Sequence, residues 1–230
     1  MESVTGGASK ELLPLGRKSV LQRIIEEARL ADPDEIVVVT ARHKADLIEQ
    51  VENWSQSEFA DIPLRLAFQD LPNGVVGAVQ AADVEDDLII MLGDCVFDLS
   101  PVPRMASLIH RGIDGCIAVE EVESSQVRLY GIVEVNEATG TIKSIVEKPN
   151  PAETQSRWAV AARYALTKSL SAELDKFPVE AEREVGMTEL LNVLIAQGAD
   201  LRAIALQPDQ RRFDCGSAEE YALARREVWD

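Results

Sequence analysis

Two aspartates stand where a carboxylate could bind a metal ion. Asp94 follows residues 88–92, a wholly apolar run, and Asp214 shortly precedes the last helical segment. Ligands of open α/β sheets bind beyond the carboxyl ends of the strands, so both carboxylates could lie at such an edge. Mg²⁺ is often held by one or two carboxylates plus phosphate oxygens. Taken singly, Asp94 fits the start of a turn equally well, and Asp214 fits better as a loop residue before a helix.

A glutamate and a lysine stand side by side after another strand-like run. Glu147-Lys148-Pro149 follows residues 141–146, and the proline ends the strand because it has no N–H to donate. Lysine offers a mobile point charge for a phosphate, and a glutamate can accept hydrogen bonds from sugar hydroxyls. The alternative is an ordinary charged turn.

Three further residues could contact a nucleotide. Gln69 ends the strand-like run 64–68, and its amide could hydrogen-bond the edge of a base. Gly74 leaves a bare backbone that a flat ring could approach closely. Lys10 adds a positive charge before the first helix. By contrast His43 and His110 have no partnering serine or cysteine motif, which argues against a catalytic histidine.

Composition excludes several classes of function. The 230 residues carry 40 acidic and 23 basic side chains, a net charge of −17 that opposes binding to nucleic acid. No apolar run reaches the roughly 18 residues of a membrane span, and no secretory signal stands at the start. Three scattered cysteines form no disulfide framework or zinc cage. We therefore expect a cytoplasmic protein without membrane or nucleic-acid partners.

The elements that must position these residues follow from hydrophobic periodicity. Up to about residue 111, helical stripes alternate with β-branched or apolar runs, which predicts an α/β fold with a largely parallel sheet. Strand-like runs then follow one another, two of them joined by a tight loop at residues 137–140, which predicts an antiparallel extension. We find no repeat or linker, so we expect one domain over residues 1–230.

Six short motifs, in this order along the chain, resemble those of the sugar-1-phosphate nucleotidylyltransferases. The branch that they resemble most is the UTP–glucose-1-phosphate uridylyltransferases. Each triplet is common by chance, but six in order are specific for the superfamily, although much less so for the substrate. They run from near the start of the chain to its last helix: Lys10-Glu11-Leu12-Leu13-Pro14, residues 69–74, Leu92-Gly93-Asp94, Tyr130-Gly131-Ile132-Val133, Glu147-Lys148-Pro149 and Asp214-Cys215-Gly216.

The resemblance implies a Rossmann-like, three-layer α/β fold with a mixed sheet, and a Mg²⁺-dependent nucleotidyltransferase. An oxygen of a sugar 1-phosphate, glucose 1-phosphate being favoured, would attack the α-phosphorus of a nucleoside triphosphate, UTP being favoured, and pyrophosphate would leave. Asp94 and Asp214 would ligate the metal, Lys148 would hold the sugar phosphate, and Lys10 would neutralise phosphate charge. This is catalysis by positioning and charge neutralisation.

The resemblance also implies the residues that would contact the substrates. Glu147 and Gly131 would contact the sugar, while Gln69 and Gly74 would face the base. Glu184 matches a family segment near the sugar less securely. An amide such as that of Gln69 meets the same edge on uracil and thymine, so the base stays open. The sugar stays open because a few loop residues determine it, and self-association into a homo-oligomer is open as well.

One departure concerns the family's first strand and the glycine-rich loop that binds the triphosphate, neither of which has a counterpart before Gly6-Gly7. Loss of one donor to developing charge already lowers rates about 10²–10³-fold, so we expect a weak or inactive transferase unless a partner fills the gap. The alternative is therefore a binding or regulatory module that retains only the sugar-phosphate side. A glycosyltransferase is a third reading, but Asp94 and Asp98 lack the usual Asp-x-Asp spacing.

Overall fold

The computed structural model describes residues 6–180 and 183–227. Two 3₁₀ helices cover Lys10–Leu12 and Ser124–Leu129 within these residues. The described α-helices are α1 Val20–Arg29, α2 Ala45–Ser55, α3 Gly74–Ala82, α4 Val102–Ile109, α5 Lys168–Asp175, α6 Met187–Ala196 and α7 Ala218–Ala224. The described strands are β1 Pro14–Leu15, β2 Lys18–Ser19, β3 Ile36–Thr40, β4 Leu64–Phe68, β5 Leu88–Met91, β6 Cys95–Phe97, β7 Gly115–Glu121, β8 Gly131–Val135, β9 Ile142–Glu147, β10 Trp158–Leu166, β11 Leu201–Ala205 and β12 Arg212–Asp214.

The chain divides into two compact units. The first comprises the described residues up to Asp70, residues 91–100, and those from Gln210 onward. The second comprises residues 71–90 and 101–209. None of the helices in the described residues has the length and apolar character needed to cross a bilayer.

Helix α1 organises the packing of the first unit. It begins at a capping box in which Ser19 and Gln22 satisfy each other's backbone N–H groups. Val20 and Ile24 enter a core cluster with β6 and α7, whereas Leu21 and Ile25 enter a second cluster with β3 and α2. Each fully buried aliphatic side chain of this kind contributes roughly 1.5–3 kcal/mol. Helix α1 therefore packs against β6 and α7 on one side and against β3 and α2 on the other.

Three short strand pairs complete the first unit as described. β1 and β2 form an antiparallel hairpin, β3 and β4 pair in parallel, and β6 and β12 pair antiparallel. In the β3–β4 pair, Ile36 lies opposite Leu64 and Thr40 opposite Phe68, so both strands end at the same edge. The β6–β12 pair places Asp214 opposite Cys95.

The described part of the second unit is built on one larger mixed sheet, in the order β11-β7-β10-β8-β9 with β5 also paired to β10. β7 runs parallel to β11 and antiparallel to β10, and β8 runs antiparallel to β9. Residues 115–119 of β7 are buried throughout, as expected for a strand covered on both faces. Helices α3, α5 and α6 pack against the sheet through the largest core cluster.

The predicted mixed α/β fold with an antiparallel extension is confirmed. The loop at residues 137–140 joins β8 to β9. The apolar pattern of residues 218–228 predicts a final helix with Ser217 as its N-cap. Ser217 caps α7, which is described as Ala218–Ala224, and Val228 lies outside the described residues. Asp214 was expected in a loop but ends strand β12. The single-domain assignment stays a prediction.

Candidate active site

Backbone pairing brings the segments of Asp94 and Asp214 together in the first unit. Asp94 lies in the turn between β5 and β6, and Asp214 ends β12. The Cys215 N–H donates to the Asp94 carbonyl oxygen at 2.7 Å, one residue beyond the Asp214–Cys95 pair. Two aspartates far apart in sequence are thus fixed side by side by main-chain hydrogen bonds.

Gly216 leaves space between the two carboxylates. A Cβ atom added to it would lie 3.0 Å from Asp214 Oδ1 and 3.2 Å from Asp94 Oδ2. The Gly216 N–H donates to Asp214 Oδ1 at 2.9 Å and so orients that carboxylate. This role of Gly216 was not predicted, although the motif Asp-Cys-Gly that contains it could have signalled it.

Lys10 supplies the positive charge at this pair. Its Nζ donates to Asp94 Oδ2 at 2.6 Å, with the side chains of Lys10 and Asp94 34% and 31% exposed. Burial acts to lower the pKa of Lys10, but the hydrogen bond to Asp94 and the charges of Asp94, Glu11 and Asp214 raise it above its usual value. The lysine therefore stays charged at neutral pH.

Asp214 lies in an unfavourable environment for a charge. Burial raises the pKa of its carboxyl, and the neighbouring charges of Glu220 and Asp94 raise it further, although the Gly216 N–H and Arg212 act in the opposite direction. A bound cation would relieve this repulsion. Among the described residues no group of three or more His, Cys, Asp or Glu side chains is arranged to hold a metal. A donor set of two carboxylates fits Mg²⁺, which takes its other ligands from phosphate and water.

A second group of candidate residues meets within the second unit. Gly131 pairs with Glu147 across β8 and β9, and a Cβ on Gly131 would lie 3.2 Å from both Glu147 Oε2 and Thr188 Oγ1. Thr188 lies in the first turn of α6, and its hydroxyl donates a hydrogen bond to Glu147 Oε2 at 2.7 Å. The sequence analysis missed Thr188, although it lies four residues beyond Glu184.

Lys148 has a strained backbone. Its φ of 47° is in the left-handed region, which is rare for a residue with a Cβ and more so before a proline. Its N–H donates to the Tyr130 carbonyl at 3.0 Å, and Pro149 is buried while the lysine is exposed. Such strain is concentrated at functional sites, where the surrounding structure holds it in place.

Backbone conformation and close packing both require a glycine at position 74. Its φ is +92°, and a Cβ there would lie only 2.4 Å from the Val185 carbonyl oxygen. The Val185 N–H donates to the Asn73 carbonyl at 2.9 Å, so the segment after Glu184 rests on the start of α3. Glu184 itself is exposed. The contact of Gly74 with a base stays a prediction.

Gln69 lies where the parallel strands β3 and β4 end. Its N–H donates to the Thr40 carbonyl at 2.9 Å. Beside it, the Arg42 guanidinium lies 4.5 Å from the centre of the Phe68 ring and donates to Asp70 at 2.8 Å. This is the carboxyl edge at which ligands of parallel strands bind.

The structure thus distributes the candidate residues over two groups. The first unit holds Lys10, Gln69, Asp94 and Asp214, and of these Lys10 and the two aspartates come together. The second unit holds Gly74, Gly131, Glu147, Lys148 and Glu184, and Gly131 and Glu147 meet there.

Comparison with known proteins gives one family. The family model described as nucleotidyl transferase matches residues 2–229. The UTP–glucose-1-phosphate uridylyltransferase 2 of Streptococcus pyogenes serotype M1 is 27% identical over 264 residues, which cover 98% of this chain and 87% of that protein. The corresponding enzyme of Pseudomonas aeruginosa is 25% identical over 248 residues, covering 96% and 88%.

Solved structures give the same fold. A UDP-glucose pyrophosphorylase complexed with UDP-glucose superposes with a TM-score of 0.78 at 28% identity, over 94% of this chain and 89% of that one. A UTP-bound UGPase from Acinetobacter baumannii superposes with a TM-score of 0.80 at 24% identity, over 97% and 86%. At 24% identity, the similarity to the Acinetobacter baumannii structure is evidence for the fold alone.

Proposed function

This chain belongs to the nucleotidyl transferase family, and from that membership we propose that it transfers the uridylyl group of UTP to glucose 1-phosphate. The relatives named UTP–glucose-1-phosphate uridylyltransferase support these substrates, as does the likeness to a pyrophosphorylase complexed with UDP-glucose. The predicted resemblance to the sugar-1-phosphate nucleotidylyltransferases and the predicted transferase class are confirmed.

The observation that carries the proposal is the meeting of Lys10, Asp94 and Asp214 around the bare backbone of Gly216. Lys10 pairs with Asp94 and Arg212 with Asp214, yet burial and the charges of Glu220 and Asp94 still raise the pKa of Asp214, so a cation bound between the two carboxylates would be favourable. We assign Asp94 and Asp214 as the residues that would hold Mg²⁺. When bound, the ion would neutralise charge on the phosphate oxygens.

The residues of the chain then act by orientation and charge. An oxygen of the sugar phosphate forms a bond to the α-phosphorus of UTP, the bond from that phosphorus to the bridging oxygen breaks, and pyrophosphate takes the electron pair. In this scheme Lys148 holds the sugar phosphate and Lys10 neutralises charge on the triphosphate. Positioning of this kind can supply much of the rate enhancement without a covalent intermediate.

The remaining assignments concern recognition. Glu147, oriented by Thr188, accepts hydrogen bonds from sugar hydroxyls beside the bare backbone of Gly131. Gln69 offers its amide to the uracil edge from the end of β4. Gly74 would face the base and Glu184 the sugar, as the family resemblance implies.

Location and assembly complete the proposal. Cys95, Cys116 and Cys215 are buried and form no disulfide in the described structure, which is compatible with a reducing cytoplasm. Self-association into a homo-oligomer stays a prediction.

The test is turnover combined with calorimetry. Purified chain with Mg²⁺, UTP and glucose 1-phosphate should release pyrophosphate and form UDP-glucose, and it should bind each substrate. Asp214→Asn should lower kcat by at least about 10²-fold, whereas Asp209→Asn, an exposed carboxylate outside the site, should not. Binding of glucose 1-phosphate without UTP binding or turnover would instead indicate the binding module.

A further inference from the structure

The segment that carries Lys10 is held by the N-terminal end of helix α2. Asp46, in the first turn of α2, accepts two hydrogen bonds from Ser9: one from its N–H to Oδ2 and one from its hydroxyl to Oδ1, each at 2.7 Å. Each carboxylate oxygen of Asp46 therefore accepts one hydrogen bond from Ser9, the residue just before Lys10. Both the backbone position of Ser9 and the direction of its side chain are fixed.

A second tie holds the residue just after Lys10. Lys44, at the N-cap of α2, donates to Glu11 Oε1 at 2.8 Å, and the Glu11 side chain is only 15% exposed. Among the described residues the other oxygen, Glu11 Oε2, is buried and has no hydrogen-bond partner. Lys44 is therefore the ion-pair partner of this carboxylate, with the charge of Lys10 also acting on it.

Lys10 lies between these two ties. A lysine side chain is a flexible four-carbon stem, so the place of its ammonium depends on how firmly its backbone is held. On the N-terminal side, Gly6 and Gly7 have positive φ, are exposed, and would carry a Cβ with no described atom within 4 Å. The two hydrogen bonds from Ser9 to Asp46 hold the chain directly before Lys10.

We propose that Asp46 is a positioning residue of the nucleotidyl transfer, which acts by holding Ser9 so that the Lys10 ammonium stays on Asp94. The proposal rests on the proposed function, in which Lys10 neutralises phosphate charge. Asp46 touches no substrate in this scheme; it fixes the backbone from which the charge is delivered. Hydrogen bonds from the Ser9 N–H and hydroxyl lower the pKa of Asp46, which keeps it ionised at neutral pH.

The kinetic test compares Asp46→Ala with a matched control, Glu49→Ala, which removes an exposed carboxylate from the same helix. Asp46→Ala should lower kcat by about tenfold and leave KM for glucose 1-phosphate unchanged, whereas Glu49→Ala should change neither. Asp46→Asn retains one acceptor oxygen and should restore part of the loss. In a Lys10→Ala background, Asp46→Ala should cause no further loss, because the two residues act as one unit. An equal loss in both backgrounds would overturn the proposal.

A second measurement does not depend on turnover. Acetic anhydride labelling of Lys10, followed by mass spectrometry, reports whether its ammonium is held against a carboxylate. Labelling should be several-fold faster in Asp46→Ala than in wild type and unchanged in Glu49→Ala, with Asp46→Asn intermediate. If the wild type shows no turnover, the proposed function fails, but the labelling rates still show whether Asp46 positions the Lys10 ammonium. Equal labelling in wild type, Asp46→Ala and Asp46→Asn, each shown to be folded by circular dichroism, would refute the positioning role.

Discussion

The Thr188 hydroxyl donates to Glu147 Oε2 at 2.7 Å, and this bond fixes one oxygen of a carboxylate that is otherwise exposed. The partner comes from α6 and the carboxylate from the end of β9, so the bond also joins a helix to the sheet of the second unit. Glu147 is thus presented in one orientation beside Gly131, as its proposed contact with the sugar requires.

Loss of that hydroxyl should weaken recognition of the sugar phosphate. A hydrogen bond of this type contributes about 1 kcal/mol, so Thr188→Val should raise KM for glucose 1-phosphate by about fivefold with a smaller effect on UTP. Thr188→Ser keeps the donor and should behave like wild type. Steady-state kinetics with each substrate varied in turn would measure this, and an equal rise in both KM values would argue against the assignment.

Gly216→Ala should strongly lower the rate of nucleotidyl transfer but leave the binding of glucose 1-phosphate intact. The added methyl would lie within 3.2 Å of an oxygen of each aspartate and would displace one or both carboxylates. We expect kcat to fall at least about 10²-fold, comparable with loss of one preorganised group at a site of developing charge. Calorimetry should still detect glucose 1-phosphate. Near-normal turnover would mean that the space between the carboxylates is not used.

Substitution of Lys148 can separate its charge from its backbone strain. Lys148→Ala and Lys148→Gly both remove the ammonium and should lower kcat/KM for glucose 1-phosphate to the same extent. The glycine accepts the φ of 47° without strain, whereas alanine does not, so Lys148→Gly should be the more stable by about 1 kcal/mol. Urea unfolding of the two variants tests this. Equal stabilities would show that the backbone relaxes once the lysine is gone.

The Lys44–Glu11 pair should show the asymmetry expected of a largely buried ion pair. Lys44→Met removes the hydrogen-bonded ion-pair partner of the largely buried Glu11 carboxylate and should destabilise the chain by about 2 kcal/mol. Lys44→Met combined with Glu11→Met removes both charges and should recover most of that loss. The measurement is the free energy of unfolding in urea. A double variant no more stable than Lys44→Met alone would contradict the prediction.

The environment of Asp214 predicts a conflict between stability and function in the metal-free protein. Its pKa is raised by burial, then by Glu220 and Asp94, so the folded state takes up a proton there at a higher pH than the unfolded state does. Stability should therefore decrease as the pH rises from the ordinary aspartate pKa through the raised one, since the folded state must then hold the charge. In EDTA, Asp214→Asn should raise Tm at pH 7.

The stabilisation by Asp214→Asn should shrink as the pH falls towards the ordinary pKa of aspartate, because the wild-type carboxyl is then protonated as well. Melting curves from pH 3.5 to 7 would record this trend. A stabilisation that is independent of pH would point to a cause other than charge.

The outline of the fold followed from the sequence because long elements carry periodicity. The β-branched run of β3 and the amphipathic stripe of α1 show their type in the residues themselves. The strands β6 and β12, three residues each, are too short for any such pattern. Their pairing places Asp214 beside Asp94. The sequence suggested that the two residues act together only through the expected sheet edge and the order of the motifs.

The parts of the site that the sequence analysis missed depend on contacts between distant segments. Gly216 matters because of the space between two carboxylates, and Thr188 because α6 begins beside the end of β9. The Ser9–Asp46 contact joins residues 37 positions apart, with a 3₁₀ helix, strands β1 to β3 and helix α1 between them. Residue type and local spacing do not predict contacts between distant segments, whereas a long apolar run by itself predicts its own secondary structure.

The path of the chain through the two units has a consequence for its biosynthesis. The first unit is interrupted twice, and its last part begins only at Gln210, after residues 101–209 have been added to the second. A nascent chain on the ribosome therefore holds Lys10 and Asp94 long before their partner carboxylate is translated. Among the described strands, β6 has no pairing partner until β12 has been translated, so a product released before residue 210 has an unpaired strand beside Asp94.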